Sequence, residues 1–135
     1  MKKIDLAYII DDDDILVMLV KMLIQKNPRY DASQEFYNGE AAIEHLNAVI
    51  AANDQLPDVI LLDLNMPILD GWQFLDAFVQ FSLPKDIPIF IVTSSIDPKD
   101  IEAAKKYKEV KGYLMKPLTQ DKLNQIFAKM GGEGA

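Results

Sequence analysis

Short apolar runs alternate with longer segments of helical character along the whole chain. Five runs predict strands: Ile4 to Ile10, Tyr30 to Tyr37, Asp58 to Leu62, Ile87 to Val92 and Val110 to Met115. Runs with little polar alternation are typical of strands covered on both faces, which is the usual state in a parallel sheet. The second run does alternate, and it predicts that Tyr30, Ala32 and Phe36 share one face.

Five further segments predict helices: Ile15 to Gln25, Glu40 to Ala51, Gly71 to Phe81, Asp97 to about Lys108, and Thr119 to about Lys129. The first is apolar on nearly all sides, which favours a largely buried helix that Asp13 or Asp14 would cap. In the second, the expected apolar stripe consists of Ala41, Ile43, Leu46 and Ile50. Asp97 before Pro98 combines a helix cap with proline at the first helical position, a strong start signal.

Strands and helices therefore alternate five times. This order predicts right-handed crossovers and a parallel sheet with helices on both faces, which is a doubly wound, three-layer α/β fold. We expect one domain over residues 1–130 and a flexible, glycine-rich tail over residues 131–135.

Polar residues follow the predicted strands at the points where the strands end. Asp11 and Asp12 follow the first strand and Asp63 follows the third. Thr93 ends the fourth strand and Lys116 follows the fifth. Since the carboxyl ends of parallel strands meet at one edge of the sheet, we expect these side chains to share a crevice.

Three neighbouring carboxylates require either a cation or protonation of some of them. A set of oxygen ligands without histidine or cysteine selects a hard cation, and Mg²⁺ leaves coordination positions for a phosphoryl group. Lys116 and Thr93 would contact phosphoryl oxygens, and Asp63 would be a nucleophile that forms an acyl phosphate. The pattern predicts phosphoryl transfer to a carboxylate.

The motifs together resemble the receiver domain of two-component response regulators, most closely the stand-alone chemotaxis type. The resemblance rests on Asp11–Asp12, on Asp63 followed by Met66–Pro67 and Asp70–Gly71, on Thr93–Ser94, and on Tyr113 with Lys116–Pro117. It covers nearly the whole chain, in order and at matching spacing. It implies a five-stranded sheet in the flavodoxin-like order 2-1-3-4-5.

The resemblance also implies roles for single residues. Asp63 is the phosphoacceptor, Asp12 binds Mg²⁺ (or Mn²⁺) directly, Asp11 assists through water, and the backbone carbonyl of Asn65 is a further metal ligand. Thr93 and Lys116 read the phosphoryl group, and Tyr113 is the rotating aromatic residue of the switch. A cis peptide before Pro117 would direct the lysine inward. Ser94 would leave the phosphoryl group accessible, and Asn65 and Ser95 occupy positions that tune its lifetime.

The implied partners are proteins. A sensor histidine kinase or a phosphotransfer protein supplies the phosphoryl group, and a downstream target binds the face formed by the fourth helix, fifth strand and fifth helix, about Asp97 to Lys129. The chain would be a stand-alone switch or a phosphorelay intermediate, and it would catalyse only its own phosphorylation and dephosphorylation. A weak homodimer through the fourth and fifth helices is a further expectation.

Composition and charge bear on the partners of the protein and on its cellular location. A net charge of −7 argues against direct binding to nucleic acid, which requires clustered Lys and Arg. The chain has no cysteine, and it has neither a signal-peptide pattern nor an apolar window long enough to span a membrane. We therefore expect a cytoplasmic protein.

Two other functions fit parts of the pattern. A phosphoaspartate-forming hydrolase of the haloacid dehalogenase type would need a second Asp two residues after the nucleophile, where this chain has Asn65. A flavodoxin-like electron carrier would need a phosphate-binding loop after the first strand, where four aspartates would repel a flavin phosphate. His45, the only histidine, is interpreted as a solvated side chain, and Trp72 and Phe74 as packing residues.

Overall fold

The computed structural model of the chain describes residues 3–94 and 96–132. Ser95 and residues 133–135, which include most of the predicted tail, lie outside the described residues. Strands and helices alternate as β1 (Ile4–Ile10), α1 (Asp14–Gln25), β2 (Tyr30–Phe36), α2 (Gly39–Ala51), β3 (Val59–Leu62), α3 (Gly71–Phe78), β4 (Ile89–Thr93), α4 (Pro98–Ala104), β5 (Val110–Met115) and α5 (Gln120–Lys129). The alternation agrees with the prediction at every element.

The strands form one parallel sheet in the order β2-β1-β3-β4-β5, which confirms the predicted fold. The register aligns the strand ends that matter for the site. Ile10 at the end of β1 pairs with Leu62 at the end of β3, so Asp11 and Asp63 follow at the same level. Thr93 pairs with Met115, which places Lys116 beside the end of β4.

Two apolar cores cover the sheet, one on each face. The core under α1 and α5 includes Val17, Ile24, Phe127 and Leu61, and the core under α2 and α3 includes Leu46, Phe74, Phe78 and Leu62. Every residue of β3 is buried, as its continuous apolar run predicts. A third, smaller cluster of Leu64, Ile91 and Ala104 lies under α4, with Trp72 and Tyr113 at its border.

The helix starts follow from capping residues. Asp13 caps α1 and accepts hydrogen bonds from the amides of Ile15 and Leu16, and Asp97 caps α4 ahead of Pro98. Asp70 and Gln73 form a reciprocal capping box at α3. Each such cap stabilises its helix by about 1 kcal/mol, because it satisfies amides that have no partner within the helix.

The prediction that α1 is largely buried is wrong. Its buried residues are Val17, Val20 and Ile24, whereas Ile15, Met18, Leu19 and Met22 are 71%, 58%, 51% and 44% exposed. The buried side of α1 packs on the sheet and beside α5, where Gln120 Nε2 donates to the Leu23 carbonyl at 2.9 Å, and the opposite side faces outward. We call these four exposed residues the α1 outer face.

Three smaller predictions also need correction. Tyr30 packs in the core under α1 and α5 and Phe36 in the opposite core, while Ala32 is exposed, so the three do not share a face. The buried residues of α2 are Gly39, Ala42, Leu46 and Val49, so Leu46 alone of the predicted stripe is fully buried, and Ala41, Ile43 and Ile50 are half-buried. Helices α3 and α4 end earlier than predicted, at Phe78 and Ala104, because the chain there tightens into turns with hydrogen bonds between residues three apart.

The early end of α4 at Ala104 is accompanied by contacts between the segment that follows it and α3. The Tyr107 hydroxyl donates to Asp76 Oδ1 at 2.6 Å, and the rings of Trp72 and Tyr107 lie 6.2 Å apart. The turn at the end of α4 brings Tyr107 back to α3 for these contacts. Trp72 and Phe74 are thus packing residues, as predicted.

Candidate functional site

The acidic residues after β1 and β3 meet at the carboxyl edge of the sheet. The Asp11 amide donates to the Phe36 carbonyl at 3.0 Å and the Asp63 amide donates to the Ile10 carbonyl at 2.9 Å. These bonds extend the strand ladders to the two aspartates and fix their backbones. One carboxylate oxygen from each of Asp11, Asp12 and Asp63 lies within 4.8 Å of the others.

Lys116 faces this cluster from the loop after β5. Lys116 Nζ lies 2.8 Å from Asp11 Oδ2 and 3.6 Å from Asp63 Oδ1. Its backbone is fixed as well, because the Lys116 amide donates to the Thr93 carbonyl at 2.6 Å. Three carboxylates and one ammonium leave an excess of two negative charges when all four are ionised. The predicted cis peptide between Lys116 and Pro117 is present.

Burial and the neighbouring charges together shift the pKa of Asp63. Burial, and after it the charge of Asp11, raises the pKa of Asp63 from 3.8 to about 6, although Lys116 and the Asn65 amide act in the opposite direction. Burial by itself lowers the pKa of Lys116, but the hydrogen bond and charge of Asp11, together with Asp63, raise it above its ordinary value. Lys116 therefore remains an ammonium at neutral pH.

The carboxylate cluster fits a hard divalent cation. Its donors are oxygens only, Asp11 and Asp63 are buried, and Asp12 lies at the surface where an ion can enter. A divalent ion would neutralise the excess charge, and Mg²⁺ needs few protein ligands because it keeps several waters. The Asn65 amide donates to Asp63 Oδ1 at 3.4 Å, which places this residue beside the cluster. The role of its carbonyl as a ligand stays a prediction.

The loop after β3 is held close to the backbone of Asp63 and Leu64 by Gly71. A Cβ atom at this position would lie 2.7 Å from Leu64 Cα and 2.8 Å from the Asp63 carbonyl oxygen, closer than real side chains approach. The Gly71 amide also donates to the Leu64 carbonyl at 3.0 Å. The glycine of the sequence motif is therefore required by this close approach, a reason that the sequence alone did not reveal.

Thr93 and Tyr113 lie on the neighbouring strands. Thr93 ends β4 and is buried beside Lys116, as its position in the sequence predicts. The Tyr113 hydroxyl is buried. It lies close enough to Thr93 that the Thr93 side chain lowers the pKa of Tyr113. Burial outweighs this influence and raises the pKa of Tyr113. The two predicted switch residues are thus neighbours.

Predictions were also made for Ser94, Ser95 and His45. Ser94 is exposed next to Thr93, and Ser95 lies outside the described residues. His45 is half-buried, with its ring 5.2 Å from that of Phe36 and 5.9 Å from that of Tyr8, so it packs against aromatic residues instead of being fully solvated.

Two residues that support the site were missed by sequence reasoning. The Asp13 amide donates to Asp11 Oδ1 at 2.9 Å and orients that carboxylate. Lys122 Nζ donates to two carbonyls of the loop that carries Lys116. A lysine in the first turn of a helix is unfavourable there, and this was the signal that could have identified it.

The site as a whole defines a class of protein. A buried carboxylate with a raised pKa, two further acids suited to a divalent ion, a fixed lysine and a threonine lie at the carboxyl edge of a doubly wound sheet. This constellation suits phosphoryl transfer to an aspartate.

The chain matches the family of the response regulator receiver domain over residues 7–128. It belongs to this family, which is the phosphoryl-accepting module of two-component systems and which the motifs had indicated. The family assignment therefore argues against the two alternative functions, a phosphoaspartate-forming hydrolase and a flavodoxin-like electron carrier.

Relatives and solved structures agree. The nitrate/nitrite response regulator protein NarL of Escherichia coli is 36% identical over 126 residues, which cover 93% of this chain and 54% of NarL. This chain thus spans about half the length of that curated relative. A two-component response regulator from Cytophaga hutchinsonii superposes with a TM-score of 0.86 at 37% identity, covering 96% of this chain and 98% of that one. The Mn²⁺-bound form of response regulator Rcp1 matches with a TM-score of 0.75 at 25% identity, covering 96% of each chain.

Within residues 3–94 and 96–132, no helix is both long and apolar enough to cross a membrane.

Proposed function

We propose that Asp63 accepts a phosphoryl group from a phosphohistidine of a sensor histidine kinase or phosphotransfer protein. The observation that carries this proposal is the excess negative charge around Asp63, with Lys116 fixed 3.6 Å away. An Asp63 oxygen forms a bond to phosphorus while the donor's P–N bond breaks, and the released imidazole nitrogen takes up a proton. Lys116 and the Thr93 hydroxyl contact the transferred phosphoryl oxygens.

Asp12, Asp11 and the Asn65 carbonyl would hold Mg²⁺ or Mn²⁺ together with Asp63. Such an ion supplies charge neutralisation for the carboxylate and for the phosphoryl oxygens as they approach. The oxygen cluster supports either ion. The Mn²⁺-bound form of Rcp1 provides a precedent among similar structures.

We further propose that the phosphoryl donor docks on the α1 outer face. The α1 helix begins at Asp14, directly after the acidic pair, so this face borders the site. Its exposed side chains are large and apolar, two of them methionines, which adapt readily to a partner's surface. A donor seated there could present its imidazole to Asp63.

The output surface is proposed to be α4, β5 and α5. The α4 helix buries Ala104 alone among its residues, and Ala104 packs in a cluster with two other buried side chains, Leu64 and Ile91. By contrast, α5 buries Leu123, Ile126 and Phe127. A new charge at Asp63 that draws Thr93 inward can therefore displace α4 at low cost. The message then passes to a target protein, or the phosphoryl group itself is handed on.

We also propose that the chain catalyses only its own phosphorylation and dephosphorylation. Its only chemistry would be the transfer of a phosphoryl group to Asp63 and the hydrolysis of the resulting acyl phosphate by water. The absence of cysteine supports a cytoplasmic setting.

The direct test is labelling of the chain by a small acyl phosphate with and without Mg²⁺. We expect one base-labile acyl phosphate per chain, whose formation depends on the metal. Asp63→Asn should remove it, whereas Asp58→Asn, at the other end of the same strand, should retain it. Full labelling of Asp63→Asn would refute the assignment.

A further inference from the structure

Lys122 contacts the loop that carries the site lysine, although it lies outside the recognised motifs. Its Nζ atom donates to the Met115 carbonyl at 2.6 Å and to the Pro117 carbonyl at 3.0 Å. These are the carbonyls of the residues immediately before and after Lys116. One ammonium therefore fixes the backbone on both sides of Lys116.

The peptide unit between Met115 and Lys116 is held at both ends. Its N–H donates to the Thr93 carbonyl at 2.6 Å, toward β4. Its C=O points the opposite way, as in any trans peptide, toward the edge of the sheet, where β5 is the last strand in the described part of the chain. Lys122 supplies the partner that a neighbouring strand would otherwise provide.

The α5 helix itself does not benefit from a lysine at this position. Thr119 caps the helix and accepts from the Lys122 amide, so Lys122 lies in the first turn. A cation there opposes the helix dipole, which favours acids such as Asp121 at this end. A residue that violates a local rule often serves a neighbouring site, and here the neighbouring site is the Lys116 loop.

We propose that Lys122 is a positioning residue, which holds the Lys116 ammonium against Asp11 and Asp63 by fixing the backbone carbonyls of the residues before and after Lys116. The inference rests on the proposed function, because Lys116 must remain directed at Asp63 while the phosphoryl group arrives. Lys122 touches neither the carboxylates nor the transferred group. It acts through the backbone of Lys116.

The test compares Lys122→Met, which keeps the aliphatic chain but removes the donors, with Lys122→Arg, which keeps two donors for the carbonyls. Lys129→Met is the matched control, since it removes the same charge from the same helix, and Lys129 is exposed. Two quantities are measured on the full chain. The first is hydrogen exchange of the Lys116 amide by NMR without metal, and the second is the rate of labelling by acetyl phosphate with Mg²⁺.

We expect Lys122→Met to speed exchange of the Lys116 amide and to slow labelling, each by about tenfold, the usual effect of losing one hydrogen bond to a charged group. Lys122→Arg should restore both values to within about threefold. Lys129→Met should change neither. A general loss of stability would speed exchange at amides throughout the core, which the same spectra report.

Two results would overturn the inference: unchanged exchange at Lys116 in Lys122→Met, or faster exchange with an unchanged labelling rate. A wild-type chain that is not labelled would instead refute the proposed function. In that case the inference falls with it as a statement about phosphorylation, and the exchange data alone still show whether Lys122 fixes the loop.

Discussion

The two aspartates that flank β3 lie at opposite ends of the sheet and differ in every respect that matters for chemistry. At the amino end, Asp58 accepts from the amides of Asp5 and Leu6 at 2.8 and 3.2 Å and from Lys85 Nζ at 2.7 Å. At the carboxyl end, Asp63 has one amide at 3.4 Å and one lysine at 3.6 Å, with two other acids beside it.

The comparison shows that the balance of donors, more than burial or a lysine neighbour alone, separates a structural acid from a reactive one. The Asp58 carboxylate has three donors and ties β1 to β3 and to the segment before β4. The Asp63 carboxylate has fewer and longer contacts, and it carries a charge that its surroundings do not neutralise. It is thus prepared to bind a cation and to accept an electrophile.

The largest expected effect is on phosphorylation. Asp63→Asn should abolish labelling by an acyl phosphate, because no carboxylate oxygen remains to form the acyl phosphate, whereas Asp58→Asn should be labelled at close to the wild-type rate. Mass spectrometry of the intact chain measures both. If Asp58→Asn lost labelling as completely as Asp63→Asn, the two ends of β3 would not differ in function.

Removal of the site lysine should have the next largest effect. Lys116→Met is expected to slow labelling by about 10²–10³-fold, as when one preorganised donor is removed from a transition state. Lys85→Met removes the corresponding lysine at the amino end and should leave the rate within about twofold, since an exposed ion pair contributes at most about 1 kcal/mol to stability. A quenched-flow or gel assay at saturating Mg²⁺ checks both.

The pH dependence of stability should distinguish the two ends in metal-free buffer. The folded pKa of Asp63 is raised from 3.8 to about 6, so the folded state binds the proton more tightly than the unfolded state. The tighter proton binding by Asp63 stabilises the folded state fully below pH 3.8, and this stabilisation is lost as the pH rises through about 6. The total loss is about 3 kcal/mol as an upper value.

Urea unfolding from pH 3.5 to 8 would measure the contribution of Asp63 as the difference in the free energy of unfolding between the wild type and Asp63→Asn. The variant should be relatively more stable above pH 6, and Mg²⁺ should abolish its advantage. A difference that does not vary with pH would contradict the account of the Asp63 environment.

Asp58→Asn should instead weaken the fold. The variant retains one acceptor oxygen but loses the charge that strengthens three hydrogen bonds, so we expect a loss of about 1–2 kcal/mol in the free energy of unfolding at pH 7. Urea unfolding measures it at one pH. Unchanged stability would show that the contacts of Asp58 are incidental.

The smallest effect on the isolated chain is expected at the α1 outer face. Met18→Ser with Leu19→Ser should change stability by no more than about 0.5 kcal/mol, because both side chains are exposed. The same change should slow transfer from a phosphohistidine donor by about tenfold while labelling by acetyl phosphate is unchanged. Val79→Ser, an exposed apolar residue at the end of α3, is the control.

Much of this structure follows from the sequence, and the exceptions have physical reasons. Continuous apolar strands and capped helix starts predict the five β–α units, and polar residues at strand ends predict the site. The apolar character of α1 predicted burial on nearly all sides, but its outer face is exposed, because apolar side chains also occur at protein surfaces. The role of Asp58 depends on contacts between residues distant in sequence, which no sequence pattern records. For Lys122 the sequence shows only its unfavourable place in the first turn of α5, and the carbonyls that it contacts are visible in the structure alone.

The position of the only tryptophan has a practical consequence. Trp72 borders the small cluster beneath α4 and lies 6.2 Å from the ring of Tyr107. Any displacement of α4 would alter the polarity and the quenching around the indole. The intrinsic emission of the unlabelled chain should therefore follow activation in real time.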